Sequence, residues 1–360
     1  MRVSDFDYDL PAELVAQRPL PRRDDSRMMV VDRKSGRILH SEFKRFPEYL
    51  SRGDVLVLND AKVIPAKAWG AVGHSEVEFL FIKETAPGVW DVLCKPARRV
   101  GIGDRVRFAD GFEAEVAGRG ESGRRTLKFA AADVAAKLKE IGFAPLPPYI
   151  KRRKKDLEDR PRDIERYQTV FAAKESAIAA PTAGLHFTPE TLGRIEDQGV
   201  EIARVTLEVG LATFQPIRVE RLEDHRMLEE LYEIPETAAR AVNAAKKEGR
   251  KVTAVGTTVV RTLESAALAG QNEGAKSAPH PDHGSRCIVK PGTAATSLFI
   301  MPGFEFQIVD RLLTNFHLPK STLLMLVSAL AGREFILKAY REAVRERYRF
   351  FSYGDCMLIC

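Results

Sequence analysis

The chain has 360 residues, 44% hydrophobic and 29% charged, a balance that excludes a disordered or collagen-like polypeptide and leaves room for one large domain or two. Lysine and arginine outnumber aspartate and glutamate by 56 to 50, a mild excess that permits an RNA or other polyanion partner without requiring one. No apolar run reaches the roughly 18 residues of a membrane helix. Asp5, Asp7 and Asp9 stand where a secretory signal would carry basic residues, so a cytoplasmic protein is expected. Cys94, Cys287, Cys356 and Cys360 form no C-x-x-C pair, which predicts reduced thiols in place of a disulfide frame or a cysteine-based zinc site.

In chain order, residues 28–32 and 38–43 read as strands around a turn at 33–36. The run DVLVL at 54–58 suits a strand buried on both faces, stopped by the turn signal Asn59-Asp60. Short runs rich in β-formers then recur at 77–82, 89–94, 105–108, 112–116 and 126–129, separated by glycines and a proline. This spacing predicts a small closed barrel or sandwich, ended by Pro145-Leu-Pro-Pro148. A basic run follows, Lys151-Arg152-Arg153-Lys154-Lys155.

From 176 onward the pattern becomes α/β. Strands are expected at 178–180, 201–209, 252–255 and 308–313, and helices at 235–248, 257–269 and 321–330. Another helix should begin after Thr188, an N-cap with Pro189 at the first helical position. Residues 271–286, rich in Gly, Ser, Pro and His, read as a mobile loop. Alternating strands and helices imply a largely parallel sheet with flanking helices. The expected architecture is an α/β domain made of 1–64 and 148–360, carrying an inserted small β-barrel at 65–147.

Gly118-Arg-Gly120-Glu-Ser-Gly123 matches G-x-G-x-x-G but lies between two strands, so it reads as a hairpin turn and not a dinucleotide loop. There is no Walker A loop, G-x-S-x-G elbow or H-E-x-x-H, and no metal site is expected. Four segments stand out, three of them with polar groups where strands end. Ala180-Pro-Thr182-Ala-Gly184-Leu-His186-Phe187-Thr188 combines small residues with a histidine before a helix start. Such residues let a ligand approach the backbone, whose helix N-terminal N–H groups favour anions; an ordinary capped turn is the plainer alternative. Gly256-Thr257-Thr258 opens a helix after a strand, where open α/β sheets bind ligands; Arg261 and Glu264 can pair on one face of that helix. Thr314 to Thr322 places Asn315, His317, Lys320, Ser321 and Thr322 at one turn. Tyr348 to Asp355 is aromatic, and packing or base stacking would each explain it. The run 151–155 is a candidate phosphate contact or a solvated segment.

These segments, with Val3-Ser-Asp-Phe-Asp-Tyr8, Gly53 to Asp60, Val63-Ile-Pro-Ala66, Pro145 to Ile150 and Arg166-Tyr-Gln-Thr-Val170, resemble the S-adenosylmethionine:tRNA ribosyltransferase-isomerases of queuosine biosynthesis. The resemblance runs over nearly the whole chain. It implies an α/β domain with a β-barrel insertion. It implies transfer and isomerisation of the ribosyl part of S-adenosylmethionine onto 7-aminomethyl-7-deazaguanine in tRNA, giving epoxyqueuosine with release of adenine and methionine. S-adenosylmethionine would be the co-substrate, with no further cofactor or metal, no membrane partner and no oligomeric state implied.

In that chemistry the sulfonium acidifies the C5′ hydrogens, adenine leaves with a proton, and the tRNA amine gives one up. Histidine suits such traffic near neutral pH, which makes His186 and His317 the expected acid/base groups. Thr257, Thr258 and Ser321 are expected to hold the methionine carboxylate or ribose hydroxyls, with Thr182, Gly184, Asn315 and Thr322 in the same binding set. Arg261 would neutralise a carboxylate or phosphate. Phe187, Phe316 or Tyr353 would face adenine or the sulfonium, and Lys151 to Lys155 would contact RNA.

The chain departs from the family pattern within 174–230. Lys174-Glu-Ser176 replaces a segment expected to begin with glycine. Glu208 stands in T-L-E-V-G where histidine is expected, Ala212 opens A-T-F where glycine is expected, and Leu228 replaces a second histidine. Glu208 can still serve as a base if its site raises its pKa. These departures also fit a diverged relative that binds S-adenosylmethionine or RNA without this turnover, or acts on another acceptor.

Overall fold

The computed structural model describes residues 1–130, 133–210, 217, 219–274 and 289–360. Cys287, the A-T-F segment opened by Ala212, and residues 275–286 of the expected loop lie outside the described residues. The chain forms two compact units. One comprises 1–61, 169–174 and 181–360, the other 62–168 and 175–180.

The first unit is built on a nine-stranded sheet in the order Gly292–Thr296, Glu230–Ile234, Glu201–Leu207, Val55–Asn59, Val252–Val255, Arg311–Asn315, Cys356–Ile359, Arg27–Asp32, Arg37–Glu42. The central four strands, from Glu201–Leu207 to Arg311–Asn315, run parallel to one another. Towards the edges, Glu230–Ile234 with Gly292–Thr296 and Arg27–Asp32 with Arg37–Glu42 pair antiparallel. The sheet is therefore mixed: Cys356–Ile359 also runs antiparallel to Arg311–Asn315, although two helices separate them in the chain, and parallel to Arg27–Asp32.

Val55–Asn59 is buried along its whole length, as a central strand covered on both faces requires. On one face Leu56, Leu58, Met28, Val30, Val255, Leu313 and Leu358 pack against Phe43, Phe46, Phe171, Phe187 and Ile195. Alternate residues point to the other face, where helices Glu236–Lys247 and Thr257–Gly274 lie against the central strands. Helix Pro189–Asp197 starts as expected, with the Thr188 side chain accepting from the Thr191 N–H. Other elements depart from expectation. The strand expected at 178–180 lies at Lys174–Ala177, and the helix after Gly256 continues to Gly274. Helix Arg333–Arg345 and the strands Glu230–Ile234, Gly292–Thr296 and Cys356–Ile359 have no counterpart in the sequence-based expectations.

The second unit carries a closed barrel of six strands in the order Arg124–Phe129, Val89–Lys95, Ser75–Ala86, Lys67–Val72, Arg105–Arg107, Glu113–Arg119. Five fall on the expected runs. The sixth, Lys67–Val72, is weak in β-formers, and Gly70 is needed there because a Cβ would stand 2.6 Å from the Val106 side chain. Gly120 to Gly123 turns between antiparallel strands, as the hairpin interpretation requires. The unit extends beyond 65–147: Gln168 both donates to and accepts from the backbone of Val63, at 3.0 Å each.

Gly354 precedes the Cys356–Ile359 strand where the chain folds back on itself. A Cβ there would lie 2.4 Å from the Arg349 carbonyl oxygen and 2.6 Å from the Phe350 carbonyl carbon. Backbone cannot yield as a flexible side chain does, so Gly354→Ala is expected to destabilise the protein by about 2–3 kcal/mol or more. Denaturant unfolding of the variant checks this; an unchanged midpoint would refute it.

Candidate active site

Parallel strands bring their C-terminal ends to one edge of the sheet. Here that edge holds Asn59, Leu207-Glu208, Gly256-Thr257-Thr258 and Asn315. Because Cys356–Ile359 runs antiparallel to Arg311–Asn315, pairing Asn315 with Cys356, Asp355 arrives at the same edge. Arg27–Asp32 runs parallel to Cys356–Ile359, which adds Ser26.

A chain of hydrogen bonds joins two of these segments, at Asn315 and Ser26, through the turn Thr182–His186. Thr182 Oγ1 donates to Asn315 Oδ1 at 2.9 Å. Asn315 Nδ2 faces His186 Nε2 at 3.1 Å, and His186 Nδ1 faces Ser26 Oγ at 2.8 Å. Ser26 Oγ in turn donates to the Arg23 carbonyl at 3.1 Å. An amide nitrogen can only donate, so His186 Nε2 accepts and its proton sits on Nδ1. Arg23 Nη1 also donates to the Leu185 carbonyl at 3.2 Å, fixing the turn that carries His186. Asn59 ties the neighbouring strands. Its Oδ1 accepts from Leu207 N at 3.1 Å, and its Nδ2 donates to the Leu207 carbonyl at 3.2 Å and to Thr258 Oγ1 at 3.4 Å. Gly256 adopts φ +90°, which favours glycine, and a Cβ there would come 3.7 Å from the Ala183 Cβ. The turn Thr182–His186 and the start of helix Thr257–Gly274 are thus neighbours.

Neither histidine has the properties expected of a proton carrier at neutral pH. Burial, reinforced by the charges of Arg23 and Arg349, lowers the His186 pKa to about 3. Burial alone lowers His317 to about 3. His317 Nε2 meets Thr314 Oγ1 at 2.9 Å, and its backbone is held by two tyrosines: its N–H donates to Tyr340 Oη at 3.0 Å and its carbonyl accepts from Tyr8 Oη at 2.5 Å. Both rings are therefore neutral and engaged.

Other expected site residues fall into different environments. Arg261 does not pair with Glu264. It forms a buried ion pair with Glu230 and donates to the Leu298 carbonyl at 3.1 Å, so the carboxylate it neutralises is the protein's own. Glu264 instead accepts three backbone N–H groups, from Gln307, Ile308 and Val309. Phe187 is a core residue, its ring against Phe43, Phe46 and Phe171. Phe316 packs on Tyr340, Tyr348 and Phe350. Both are fully buried and leave no ring face for a ligand. Tyr353 is buried as well. The missing Cβ of Gly184 makes room for the Phe171 ring, which it would otherwise meet at 2.6 Å. Ser321 Oγ caps helix Thr322–Ala331, accepting from Leu324 N at 3.2 Å and donating to the Leu318 carbonyl at 2.7 Å. Thr322 is the first residue of that helix.

Thr257 is buried, whereas Thr182, Thr258 and Glu208 are half-buried. Glu208 continues the sheet through its N–H to the Leu231 carbonyl at 2.9 Å, and no hydrogen bond or ion pair reaches its carboxylate among the described residues. Leu228 is exposed.

The basic run lies in the other unit. Arg152 Nε and Nη2 grip Asp163 at 2.7 and 2.9 Å, and Lys154 and Lys155 pair with Glu76. Lys151 and Arg153 are exposed. Cys94, Cys356 and Cys360 are free thiols. Among the described residues, no group of three or more His, Cys, Asp or Glu side chains could hold a metal ion, and no helix is long and apolar enough to cross a membrane.

Sequence reasoning missed Ser26, Asn59 and Asp355. Asp355 accepts from the N–H groups of Arg27 at 2.9 Å and Arg349 at 2.8 Å, which fixes the approach to the edge. An amide ending an otherwise apolar strand was the available signal for Asn59; Ser26 had none.

The family description "Queuosine biosynthesis protein" matches residues 3–359. The chain belongs to this family. A Carboxydothermus hydrogenoformans protein named S-adenosylmethionine:tRNA ribosyltransferase-isomerase is 51% identical over 362 residues, covering 100% of both chains. Its namesake from Thermotoga maritima is 46% identical over 361 residues, again covering 100% of both. A crystal structure of S-adenosylmethionine tRNA ribosyltransferase from Thermotoga maritima aligns over 99% of this chain and 100% of that one, with 38% identity and a TM-score of 0.53.

The two buried histidines couple folding to pH. Their folded pKa values lie below the unfolded value of about 6.5, so the unfolded chain binds more protons between pH 6.5 and 3. Their contribution is complete above pH 6.5 and is lost as pH falls towards 3. Stability should decline over that window by up to about 1.4 kcal/mol per pH unit for each histidine. Replacing His186 with Gln should flatten the decline; a variant with the wild-type slope would contradict the assignment.

Proposed function

We propose that the protein transfers and isomerises the ribosyl part of S-adenosylmethionine onto 7-aminomethyl-7-deazaguanine in tRNA, forming epoxyqueuosine and releasing adenine and methionine. The observation that carries this is similarity over the full length, at 46–51% identity, to proteins named for the ribosyl transfer and isomerisation. In this account the reaction takes place at the polar cluster at the strand ends. S-adenosylmethionine is the sole co-substrate in this account, with no metal, and the protein works in the cytoplasm on a soluble tRNA.

The cluster suits a cationic co-substrate because its groups are neutral. Thr182, Asn59, Asn315, Thr258 and an uncharged His186 offer hydrogen bonds without repelling a sulfonium. In this account Thr182 and Thr258 hold polar groups of the ribosyl donor, and Thr257 starts the helix behind them. Asn315, His186 and Ser26 are positioning residues that fix Thr182. Glu208 takes the base role first assigned to the histidines. It follows the strand whose last residue, Leu207, is bonded to Asn59, and its carboxylate faces no competing cation among the described residues. A carboxylate there attracts the sulfonium and accepts the C5′ proton that the sulfonium acidifies. The proton lost from the tRNA amine balances the one adenine gains on leaving. From the basic run, Lys151 and Arg153 are the exposed phosphate contacts, whereas Lys154 and Lys155 pair with Glu76 and Arg152 folds the segment onto Asp163.

One incubation tests this: protein, S-adenosylmethionine and tRNA bearing 7-aminomethyl-7-deazaguanine, followed by nucleoside mass spectrometry and assay of free adenine. Epoxyqueuosine and adenine should appear together; neither product, from folded protein, would overturn the proposal. A general base contributes about 100-fold or more. Glu208→Gln should therefore lower kcat by at least that factor while S-adenosylmethionine still binds. Wild-type kcat in this variant would remove Glu208 from the chemistry.

A further inference from the structure

The net charge is divided unevenly. Residues 62–168 and 175–180 hold 22 lysines and arginines against 17 aspartates and glutamates, a net +5 of the chain's +6. Much of this excess gathers at one end of the barrel, where three segments meet. Strand Val89–Lys95 leads into the turn Ala97–Arg99, and the hairpin between Glu113–Arg119 and Arg124–Phe129 lies beside it. Their proximity is fixed by several contacts. Arg124 pairs with Leu93 in register. Cys94 Sγ donates to the Gly123 carbonyl at 3.4 Å. A Cβ on Gly123 would come 3.4 Å from the Ala97 Cβ. Arg125 is buried and donates from Nε to the Val100 carbonyl at 2.8 Å and from Nη2 to the Ala97 carbonyl at 2.6 Å. One arginine is thus buried to hold the loop in place, with carbonyls and no carboxylate as its partners.

Around this anchor, Arg98, Arg99, Arg119 and Arg124 are exposed, and none forms an ion pair among the described residues. That sets them apart from the run at 152–155, where Asp163 and Glu76 neutralise Arg152, Lys154 and Lys155. The nearby acids are few. Glu121 lies exposed in the hairpin turn, and Asp104 accepts from the Gly101 N–H at 2.7 Å. Four unpaired guanidinium groups on a rigid support match phosphate oxygens, which arginine binds in a bidentate fork.

We propose that this end of the barrel docks the phosphate backbone of the RNA substrate through Arg98, Arg99, Arg119 and Arg124. The proposal rests on the tRNA-modifying function inferred above and adds where the RNA is gripped. Contacts of this kind set affinity and its salt dependence and carry no base specificity.

The test compares the triple variant Arg98→Gln/Arg99→Gln/Arg124→Gln with a control, Lys34→Gln/Lys247→Gln/Lys338→Gln, which removes three exposed charges from the other unit. Binding of the aminomethyl-deazaguanine tRNA is followed by fluorescence anisotropy between about 50 and 200 mM salt. KM and kcat are measured in parallel, and thermal melting checks that both variants are folded. The arginine variant should bind tRNA about tenfold or more weakly, with the log–log salt slope reduced by about 2 to 3. Its kcat and its KM for S-adenosylmethionine should stay at the wild-type level, and the control should match wild type throughout. Wild-type affinity and slope in the arginine variant would overturn the proposal, as would a wild-type protein that does not bind tRNA. Wild-type protein that binds tRNA without turnover would instead count against the proposed function, and the anisotropy comparison would still decide the docking surface.

Discussion

The site depends on a hydrogen-bonded chain that keeps a histidine neutral inside the protein. The turn carrying Thr182 and His186 lies far in sequence from Asn315 and from Ser26, and each group needs the next to satisfy a polar group away from water. An unpaired buried polar group costs about 1–3 kcal/mol, so the chain holds only if all three segments arrive together. The sheet order ensures this. Parallel strands deliver Asn59, Gly256 and Asn315 to one edge, and the antiparallel return of Cys356–Ile359 carries Asp355 back to it. The result is a polar edge whose groups are largely uncharged.

That neutrality reassigns chemical roles. Histidines in these motifs invite an acid/base role, yet burial pushes both far below neutral pH and fixes their partners. Ionic interactions are used elsewhere in the same unit for structure. The buried Arg261–Glu230 pair joins helix Thr257–Gly274 to strand Glu230–Ile234. The unit that holds the polar edge is close to charge-neutral, while the barrel unit carries most of the net charge. This division suits a reaction whose small co-substrate is a sulfonium and whose large substrate is a polyanion.

Much of this was legible in the sequence. The apolar run at 54–58 and the strand–helix alternation fixed the central sheet, because buried parallel strands must be apolar throughout. The spacing of short runs marked five of the six barrel strands and left barrel and sandwich open. The edge strands were not legible: Gly292–Thr296 is small and exposed, and Glu230–Ile234 is set by its partners more than by its own residues. Segments 180–188, 256–258 and 314–317 were marked as a site from their polar residues. Roles within them were harder to read, because burial decides them. Phe187 and Gly184 look like ligand contacts in sequence and are core packing in three dimensions. Asn59 looks like a turn residue and ties neighbouring strands to Thr258, while Ser26, which carried no signal, ends the hydrogen-bonded chain at His186.

The most direct measurement is a side-chain NMR titration of the protein labelled with nitrogen-15 in histidine and asparagine. The account predicts that His186 stays neutral, with its proton on Nδ1, from about pH 8 down to 5. It also predicts that saturating S-adenosylmethionine shifts the His186 ring and Asn315 amide signals together. A His186 that titrates near 6.5, or S-adenosylmethionine that binds without moving either signal, would contradict it.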